Sequence, residues 1–294
     1  MTSFELALVL CSALLHAVWS TAIKGSRDPL SFNLLQGGFT IVVGTGVLAM
    51  ADLGPLPAAV WRWLALTSVA HGLYIYWLSL ALERGDLTLV YPLARSTPAF
   101  LPLIAVPLFG ESLSVGGAAG IVVVVAGMWL VQVGASLDWR RFATPAARYA
   151  LLTLAATVVY SLADKGAMVE LHEQPARGVV PVAVLYYFLL SLGHLLVLAP
   201  LVVAQRGLRA VAAAARTELG PASLASLLGL LGYGAILKAL ETAPASYVVA
   251  VRQASVFFAL LLGIVRLHER PGRARLVGAA ATVLGVALIA RFGA

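Results

Sequence analysis

Residues 110–134 read GESLSVGGAAGIVVVVAGMWLVQVG, and residues 268–292 read HERPGRARLVGAAATVLGVALIARF. Each segment contains an apolar run of roughly 20 residues, the length at which an α-helix crosses the hydrocarbon core of a bilayer. A shift of 158 residues aligns the two segments without a gap and places Glu111 on Glu269. The same shift places the glycines at 120 and 127 on those at 278 and 285. The two segments therefore predict membrane-spanning helices in a duplicated chain.

The composition of the whole chain supports a membrane protein. Of 294 residues, 61% are hydrophobic and 11% are charged, and the mean hydropathy is +0.95. A soluble domain has about 45–50% apolar and about 25% charged residues, so we expect lipid rather than water around most of this chain. Cys11 cannot form an internal disulfide, because it is the single cysteine. Since Cys/His spacing typical of zinc sites is absent, we expect no cofactor.

Ten apolar stretches separate at charged, Gly-bearing or Pro-bearing breaks. They are rich in Ala, Leu and Gly and about 20 residues or more long, which favours helices over the shorter alternating strands of a β-barrel. The predicted class is an all-α membrane protein with ten transmembrane helices. The predicted spans are residues 3–23, 32–51, 61–83, 86–108, 115–134, 146–168, 179–204, 222–241, 244–266 and 273–291.

Spans 1–5 repeat as spans 6–10. The shift of 158 also places residues 81–83 (Ala-Leu-Glu) on residues 239–241, and a shift of 141 places residues 19–20 (Trp-Ser) on residues 160–161 (Tyr-Ser) and Lys24 on Lys165. We therefore predict two repeats, residues 1–139 and 140–294. Five is an odd number, so the second repeat must enter the membrane in the opposite sense. Inverted repeats around a central cavity are typical of many secondary transporters.

The distribution of Lys and Arg predicts the orientation in the membrane. The connections after spans 1, 3, 5, 7 and 9 hold thirteen basic residues: Lys24, Arg27, Arg84, Arg140, Arg141, Arg148, Arg206, Arg209, Arg216, Arg266, Arg270, Arg273 and Arg275. The other side holds Arg62, Arg177 and Arg291, with Lys165 as a possible fourth. The positive-inside rule then places the odd-numbered connections in the cytoplasm and both termini outside.

Several motifs in this order resemble a known superfamily. They are the Glu that ends spans 3 and 8, the Glu before spans 5 and 10, the Gly-x6-Gly of spans 5 and 10, and Trp-Ser ahead of a Lys in span 1. Together they resemble the drug/metabolite transporter superfamily with two EamA-type repeats, and the chain is most similar to bacterial aromatic amino acid exporters. The resemblance implies ten helices around a central cavity in the bacterial inner membrane. It also implies export of amino acids, aromatic and neutral ones included, by alternating access.

Matching polar faces of spans 1 and 6 are the first candidates for the cavity wall. Spacings of three and four residues place side chains on one helix face. The candidate residues are His16, Trp19 and Ser20 in span 1, and Thr157, Tyr160, Ser161 and Asp164 in span 6. We expect the rings to stack on a substrate and the hydroxyls to bind it. The alternative is that the rings pack helices and the serines serve as small contact residues.

Two arginines lie inside predicted spans. Tyr91 and Arg95 share a face of span 4, whose four prolines predict a bent helix. In span 9, Arg252 aligns one position away from Arg95 under the repeat shift. An arginine at such a position can bind a substrate carboxylate. It can equally extend to the interface or pair with Asp86, Glu83 or Glu241.

The other spans add further candidates. These are Tyr74 in span 3, Tyr187 and His194 in span 7, and Tyr233 in span 8. Aromatic residues near span ends can instead form interface belts. The four glutamates at helix ends are expected to cap helices or pair with basic loops.

The remaining features narrow the function. His-Glu-x-x-His and Gly-x-Ser-x-Gly are absent, as is a Gly-rich phosphate loop, so we expect neither an enzyme nor an ATP-driven pump. The net charge of +7 is explained by basic loops, so we expect no nucleic acid partner. The expected partners are a small-molecule amino acid substrate and the lipid bilayer, with the chain acting as a monomer. Efflux of organic cations is the alternative, and Asp164 is the acidic residue that could serve it.

Overall fold

The computed structural model describes residues 1–24, 26–51, 55–85, 87–133, 143–172, 174, 180–268 and 270–293. Within these ranges the chain forms twelve α-helices. They are α1 (Ser3–Lys24), α2 (Pro29–Leu48), α3 (Ala58–Arg84), α4 (Leu87–Ala94), α5 (Thr97–Phe109), α6 (Val115–Val133), α7 (Pro145–His172), α8 (Val182–Arg206), α9 (Leu208–Leu240), α10 (Ala245–Arg252), α11 (Ala254–Leu267) and α12 (Arg273–Phe292). Ten segments are long and apolar enough to cross a membrane, so the predicted all-α membrane fold is confirmed.

A few predicted features cannot be compared with the structure. The residues Asp86, Arg140, Arg141, Arg177 and Glu269 lie outside the described residues, as do the side chains of Lys24 and Arg266. The predicted boundary between the repeats, at residues 139 and 140, also lies there.

Two of the ten spans are interrupted near their middle. Span 4 divides into α4 and α5 at Arg95 and Ser96, and span 9 divides into α10 and α11 at Gln253. In span 4 the break has a local cause, since Pro98 has no N–H to donate to the carbonyl of Ala94 four residues earlier. The Ser96 hydroxyl donates to the Pro92 carbonyl at 2.6 Å, which satisfies one freed backbone group. Span 9 breaks without a proline, which the sequence did not predict.

The start of α9 corrects the sequence prediction. Span 8 was predicted to begin at residue 222, because Arg209, Arg216 and Glu218 interrupt the apolar pattern. The helix instead begins at Leu208 and continues through Pro221 to Leu240, a length of 33 residues. At 1.5 Å per residue it is about 50 Å long, well beyond the roughly 30 Å hydrocarbon core. The alanine-rich segment before Pro221 favours helix, so charge alone did not end the element.

The contacts between the two repeats occur in symmetry-related pairs. Spans 1, 2 and 3 are α1, α2 and α3, and their repeat mates are α7, α8 and α9. The helix α1 packs on α9 while α7 packs on α3, and α2 packs on α9 while α8 packs on α3. Each contact therefore has a mate in which the two repeats exchange roles, as a two-fold axis between inverted repeats requires.

The repeated glycines hold α6 and α12 together. A Cβ atom at Gly120 would lie 2.8 Å from the Gly285 carbonyl oxygen, and one at Gly127 would lie 2.6 Å from the Gly278 carbonyl oxygen. Both distances are too short for a side chain, so these positions require glycine for the backbones to approach this closely. The Gly-x6-Gly motif is thus a contact between the two repeats.

Hydrogen bonds of Glu111 and Lys165 hold together the side of the molecule that carries both termini, hereafter the terminal side; those of Glu111 join the two repeats, and those of Lys165 lie within the second repeat. Glu111 accepts from the backbone N–H of Ala245 at 2.5 Å and from the hydroxyl of Ser246 at 2.5 Å, so it caps the first turn of α10. Lys165 donates to the carbonyls of Leu240 and Ala243, both at 2.9 Å, at the C-terminal end of α9. The negative Glu111 lies at a helix N-terminus and the positive Lys165 at a helix C-terminus, so each charge interacts favourably with the helix dipole.

An ion-pair cluster lies on the opposite side, hereafter the odd-loop side. Arg206 at the end of α8 pairs with Glu83 and, at 3.3 Å, with Asp28. Burial alone would raise the pKa of Asp28, but the hydrogen bond from the Ser31 hydroxyl and the charge of Arg206 outweigh it and leave the pKa below its ordinary value. The cluster joins α3 and the residue that caps α2 to α8 in the other repeat.

Candidate functional site

A cavity lies between the two repeats and consists of two adjoining chambers. The break chamber surrounds the interruptions of spans 4 and 9 and encloses about 970 Å³, its open mouth included. The aromatic chamber encloses about 840 Å³ on the same basis. Both chambers share the side chains His16, Trp19, Asn33, Tyr74, Ile75, Tyr160 and Arg252. The two chambers therefore lie on either side of the same group of side chains.

The structure brings all but one of the candidate residues to the cavity wall. The break chamber holds His16, Trp19, Ser20, Tyr74, Tyr91, Arg95, Thr157, Tyr160, Ser161 and Arg252. The aromatic chamber adds Tyr187, His194 and Tyr233. Binding of a substrate by these residues stays a prediction.

Asp164 lies behind the wall instead of in it. It is fully buried and accepts hydrogen bonds from the hydroxyls of Thr67 at 2.7 Å, Tyr186 at 3.0 Å and Tyr233. The spacing from Tyr160 placed it on the cavity face of α7, but α3, α8 and α9 each supply a hydroxyl that covers the carboxylate. Its expected place in the cavity wall is therefore corrected to a buried position beneath Tyr233.

Aromatic rings from the three helices α3, α7 and α9 meet in the aromatic chamber. His71 stacks on Tyr160 with 3.8 Å between ring centroids, and Tyr233 meets His71 edge-on at 5.3 Å. Tyr74 meets Tyr160 edge-on at 5.4 Å. The two edge-on contacts have the geometry that is favourable for aromatic pairs. The chamber therefore presents both ring faces and hydroxyl groups to a ligand.

Arg95 lies at the break between α4 and α5 and reaches across the break chamber. Its Nη2 lies 3.1 Å from Nε2 of His16 on α1, and its Nη1 donates to the Ser255 hydroxyl on α11 at 3.3 Å. Its guanidinium also lies 5.1 Å from the ring centroid of Tyr91. The first helix supports this arrangement, because His16 stacks on Trp19 at 5.0 Å.

Arg252 ends α10 and lies where the two chambers meet. Its guanidinium carbon lies 5.3 Å from the ring centroid of Tyr233, within the range of a cation–π contact. Neither Arg252 nor Arg95 has a carboxylate oxygen within 4.0 Å among the described residues. The expected alternatives of pairing with Glu83 or Glu241 are not observed: Glu83 pairs with arginines at the odd-loop side and Glu241 with Lys238.

The described cavity wall is positively charged. Its charged side chains are Arg95 and Arg252, and it contains no aspartate, glutamate or lysine. Charges inside a span are unfavourable unless they face a cavity or a partner. Two arginines without a carboxylate partner among the described residues give this wall a charge that is complementary to an anionic group.

Polar residues of α2 were missed by the sequence analysis. Asn33, Gln36 and Thr40 line the cavity, and Gln36 accepts a hydrogen bond from Trp19 Nε1 at 3.0 Å. Their spacing of three and four residues in an apolar span places them on one helix face. That pattern was a sufficient signal. A comparison of the repeats did not reveal it, because the polar face of α8 carries different residues, Tyr187, Ser191 and His194.

The cavity extends toward the odd-loop side. Pro29, the first residue of α2, and Leu82, close to the end of α3, both line the break chamber. The terminal side is closed by the bonds of Glu111 and Lys165 described above. The break chamber therefore reaches the odd-loop side, whereas these hydrogen bonds lie on the terminal side.

Two inverted five-span repeats with interrupted helices that meet at a central cavity define the fold of a secondary transporter. The sequence pattern of the EamA-like transporter family matches residues 3–133 and 171–291. The chain therefore belongs to this family of the drug/metabolite transporter superfamily, and it is a multi-pass membrane transporter of small molecules. Members of the family are transporters and not enzymes.

A comparison with solved structures agrees with this assignment at the level of the fold. One crystal structure of another protein superposes with a TM-score of 0.65 and 17% sequence identity, over 99% of this chain and 98% of that chain. No curated protein matches the chain significantly in sequence.

Proposed function

We propose that this transporter exports amino acids, aromatic and neutral ones included, across the bacterial inner membrane by alternating access. The observation that carries the proposal is one cavity that combines a cluster of aromatic rings with two arginines and no described carboxylate. Guanidinium groups bind carboxylates with charge-assisted hydrogen bonds. Aromatic rings stack on an aromatic side chain and give apolar contact to an aliphatic one.

The α-ammonium group of the substrate also finds partners in this cavity. The face of Trp19 offers a cation–π contact. The amide oxygens of Asn33 and Gln36, on the facing side of α2, are hydrogen-bond acceptors. The wall therefore offers complementary groups to each part of an amino acid.

The position of Asp164 argues against efflux of organic cations as the main function. A carrier of organic cations favours a carboxylate that faces the substrate. Asp164 is covered by three hydroxyl donors and does not line either chamber. The charged groups that do face the cavity are cationic, and they disfavour a cationic substrate.

Counterflow in proteoliposomes tests the substrate class. Vesicles are preloaded with unlabelled phenylalanine, threonine or phenethylamine, and entry of the labelled form is followed. Phenethylamine keeps the ring and the ammonium group of phenylalanine and lacks its carboxylate, so it is a matched probe. We expect exchange of both amino acids and none of phenethylamine. Exchange of phenethylamine alone would reject the amino acid proposal in favour of organic cations.

We further propose that the odd-loop side is cytoplasmic and that both termini lie outside. The excess of Lys and Arg in the odd-numbered connections supports this orientation. In that orientation the open cavity faces the cytoplasm, the side from which an exporter loads. A reporter that is active only in the cytoplasm should give no signal when fused to either terminus, and a strong signal would reverse the orientation.

For the transport cycle we propose rocking of helix pairs around the cavity, with the breaks of spans 4 and 9 as hinges. Each of the short helices α4 and α10 has eight residues, so each break lies about 12 Å from its own membrane side, near mid-depth. Because the cavity forms within one chain, we propose a monomer as the transporting unit. Cross-linking at functional density in proteoliposomes should leave a single chain.

A further inference from the structure

The two breaks place two helix N-termini at the same cavity. The helix α5 begins at Thr97 and α11 begins at Ala254, and neither N-terminus has a side-chain cap from the residues that the structure describes. Ser96 is unavailable as a cap for α5, because its hydroxyl donates to Pro92 and accepts from Trp129 Nε1 at 2.9 Å. An uncapped helix N-terminus carries a partial positive charge. Both termini thus add positive potential to a chamber without a described carboxylate.

Arg95 lies between these two N-termini. It precedes α5 by two residues and donates across the chamber to Ser255, the second residue of α11. A guanidinium has five N–H donors, and the described partners of Arg95 side-chain nitrogens are Ser255 and His16. Donors therefore remain for a ligand at this point.

Thr97 provides a separate observation. This residue lines the break chamber, is 1% exposed, and its Oγ1 has no hydrogen-bond partner among the described residues. A buried hydroxyl without a partner is unfavourable, and such a group calls for an explanation. Its repeat mate is Ser255, which does have a partner in Arg95. The Ser255 hydroxyl thus accepts a hydrogen bond, whereas the Thr97 hydroxyl forms none with the described residues.

We propose that Thr97, Arg95 and the N-terminus of α5 form the subsite for the carboxylate group of the transported amino acid. The proposal deepens the function proposed above and rests on it. Thr97 and Arg95 donate hydrogen bonds to the carboxylate oxygens, and the two helix N-termini stabilise its charge. The side chain of the substrate then points toward Tyr160 and the aromatic chamber. The subsite therefore fixes the direction in which the substrate lies.

The test measures preference for a carboxylate, which a general loss of structure does not change. Phenylalanine counterflow is inhibited with unlabelled phenylalanine or with phenylalaninamide, in which an uncharged amide replaces the carboxylate. The ratio of the two half-inhibitory concentrations is the carboxylate preference. For T97A we expect this preference to fall about tenfold, the effect of removing one hydrogen bond to a charged group. T97S keeps the hydroxyl and should retain the preference.

Two further variants make the result decisive. The buried hydroxyl of Thr153 donates to the Tyr149 carbonyl at 2.8 Å and lies outside both chambers, so T153A is the matched control and should keep the wild-type preference. Arg95→Gln tests the same subsite if T97A does not fold, and we expect a fall of at least tenfold.

The possible outcomes distinguish a failure of the carboxylate subsite from a failure of the proposed function. If T97A and Arg95→Gln exchange phenylalanine with the wild-type preference, the subsite is wrong and amino acid export stands. If the folded wild-type protein exchanges no amino acid, the proposed function fails and the carboxylate subsite fails with it. A fall in preference in T97A that T97S avoids would establish the subsite.

Discussion

Replacement of Gly285 by alanine should separate α6 from α12 and destabilise the protein. A methyl carbon at this position would lie 2.7 Å from the Gly120 carbonyl oxygen and 2.7 Å from the Val124 backbone nitrogen. Ordinary contacts begin at 3.4 Å, so the two backbones must move apart by about 0.7 Å. Overpacking of this kind costs about 1–3 kcal/mol, while replacing a helical glycine by alanine contributes about 0.5–1 kcal/mol in the opposite direction.

Gly38 provides the matched control, because it lies within α2 and a Cβ there would meet nothing within 4 Å. Gly38→Ala should therefore be stabilising by about 0.5–1 kcal/mol. The difference in unfolding free energy between the two variants isolates the overpacking contribution, about 1–3 kcal/mol. Unfolding of the detergent-solubilised protein by SDS measures this difference. Equal stability of Gly285→Ala and Gly38→Ala would refute the close contact between the two repeats.

Three other predictions concern the cavity and the two sides of the molecule. Trp19→Ala and Tyr160→Ala should each lower counterflow about 3- to 10-fold in a folded protein, through the loss of about 0.5–1.5 kcal/mol of ring contact; unchanged counterflow in both variants would remove these residues from the site. Glu111→Gln weakens the cap of α10, which stabilises the helix by about 1 kcal/mol. Amide hydrogen exchange in the first turn of α10 should therefore accelerate about fivefold. An unchanged exchange rate would contradict the contact of Glu111 with α10 on the terminal side. The stabilisation from Asp28, whose pKa is lowered in the folded protein, should be present at neutral pH and lost as the pH falls below its ordinary pKa of about 3.9. Asp28→Asn should therefore be less stable than wild type at pH 7 and closer to it near pH 3; an equal difference at both pH values would contradict the pairing with Arg206.

The ten spans could be predicted because their signal is local. A run of about 20 apolar residues is sufficient to specify a membrane helix without knowledge of its neighbours. The repeat was equally accessible, since Glu111 and the glycines of span 5 recur at one shift. The break of span 4 just before Pro98 also has a local cause, the N–H that proline lacks.

The parts that could not be predicted depend on neighbours distant in sequence. The break at Gln253 occurs without proline or glycine. Helix spacing placed Asp164 beside Tyr160, but the spacing carries no information about the hydroxyl of Tyr233 that covers the carboxylate. Likewise, the Thr97 hydroxyl is distinguished by having no hydrogen-bond partner in the described part of the chain, which only the assembled structure can reveal.

The contact between α6 and α12 also bears on how such a chain could arise. Gly120 meets Gly285 and Gly127 meets Gly278, so each repeat presents the same patch to the other and the contact is isologous, as in a two-fold homodimer. A single five-span ancestor that inserted in both orientations could form this interface with a second copy of itself before any gene duplication. Once the two copies were fused, a change on one helix was no longer mirrored on the other. Spans 4 and 9 could then diverge around their breaks, since none of the four prolines of span 4 aligns with a proline in span 9, while the glycine interface kept its symmetry.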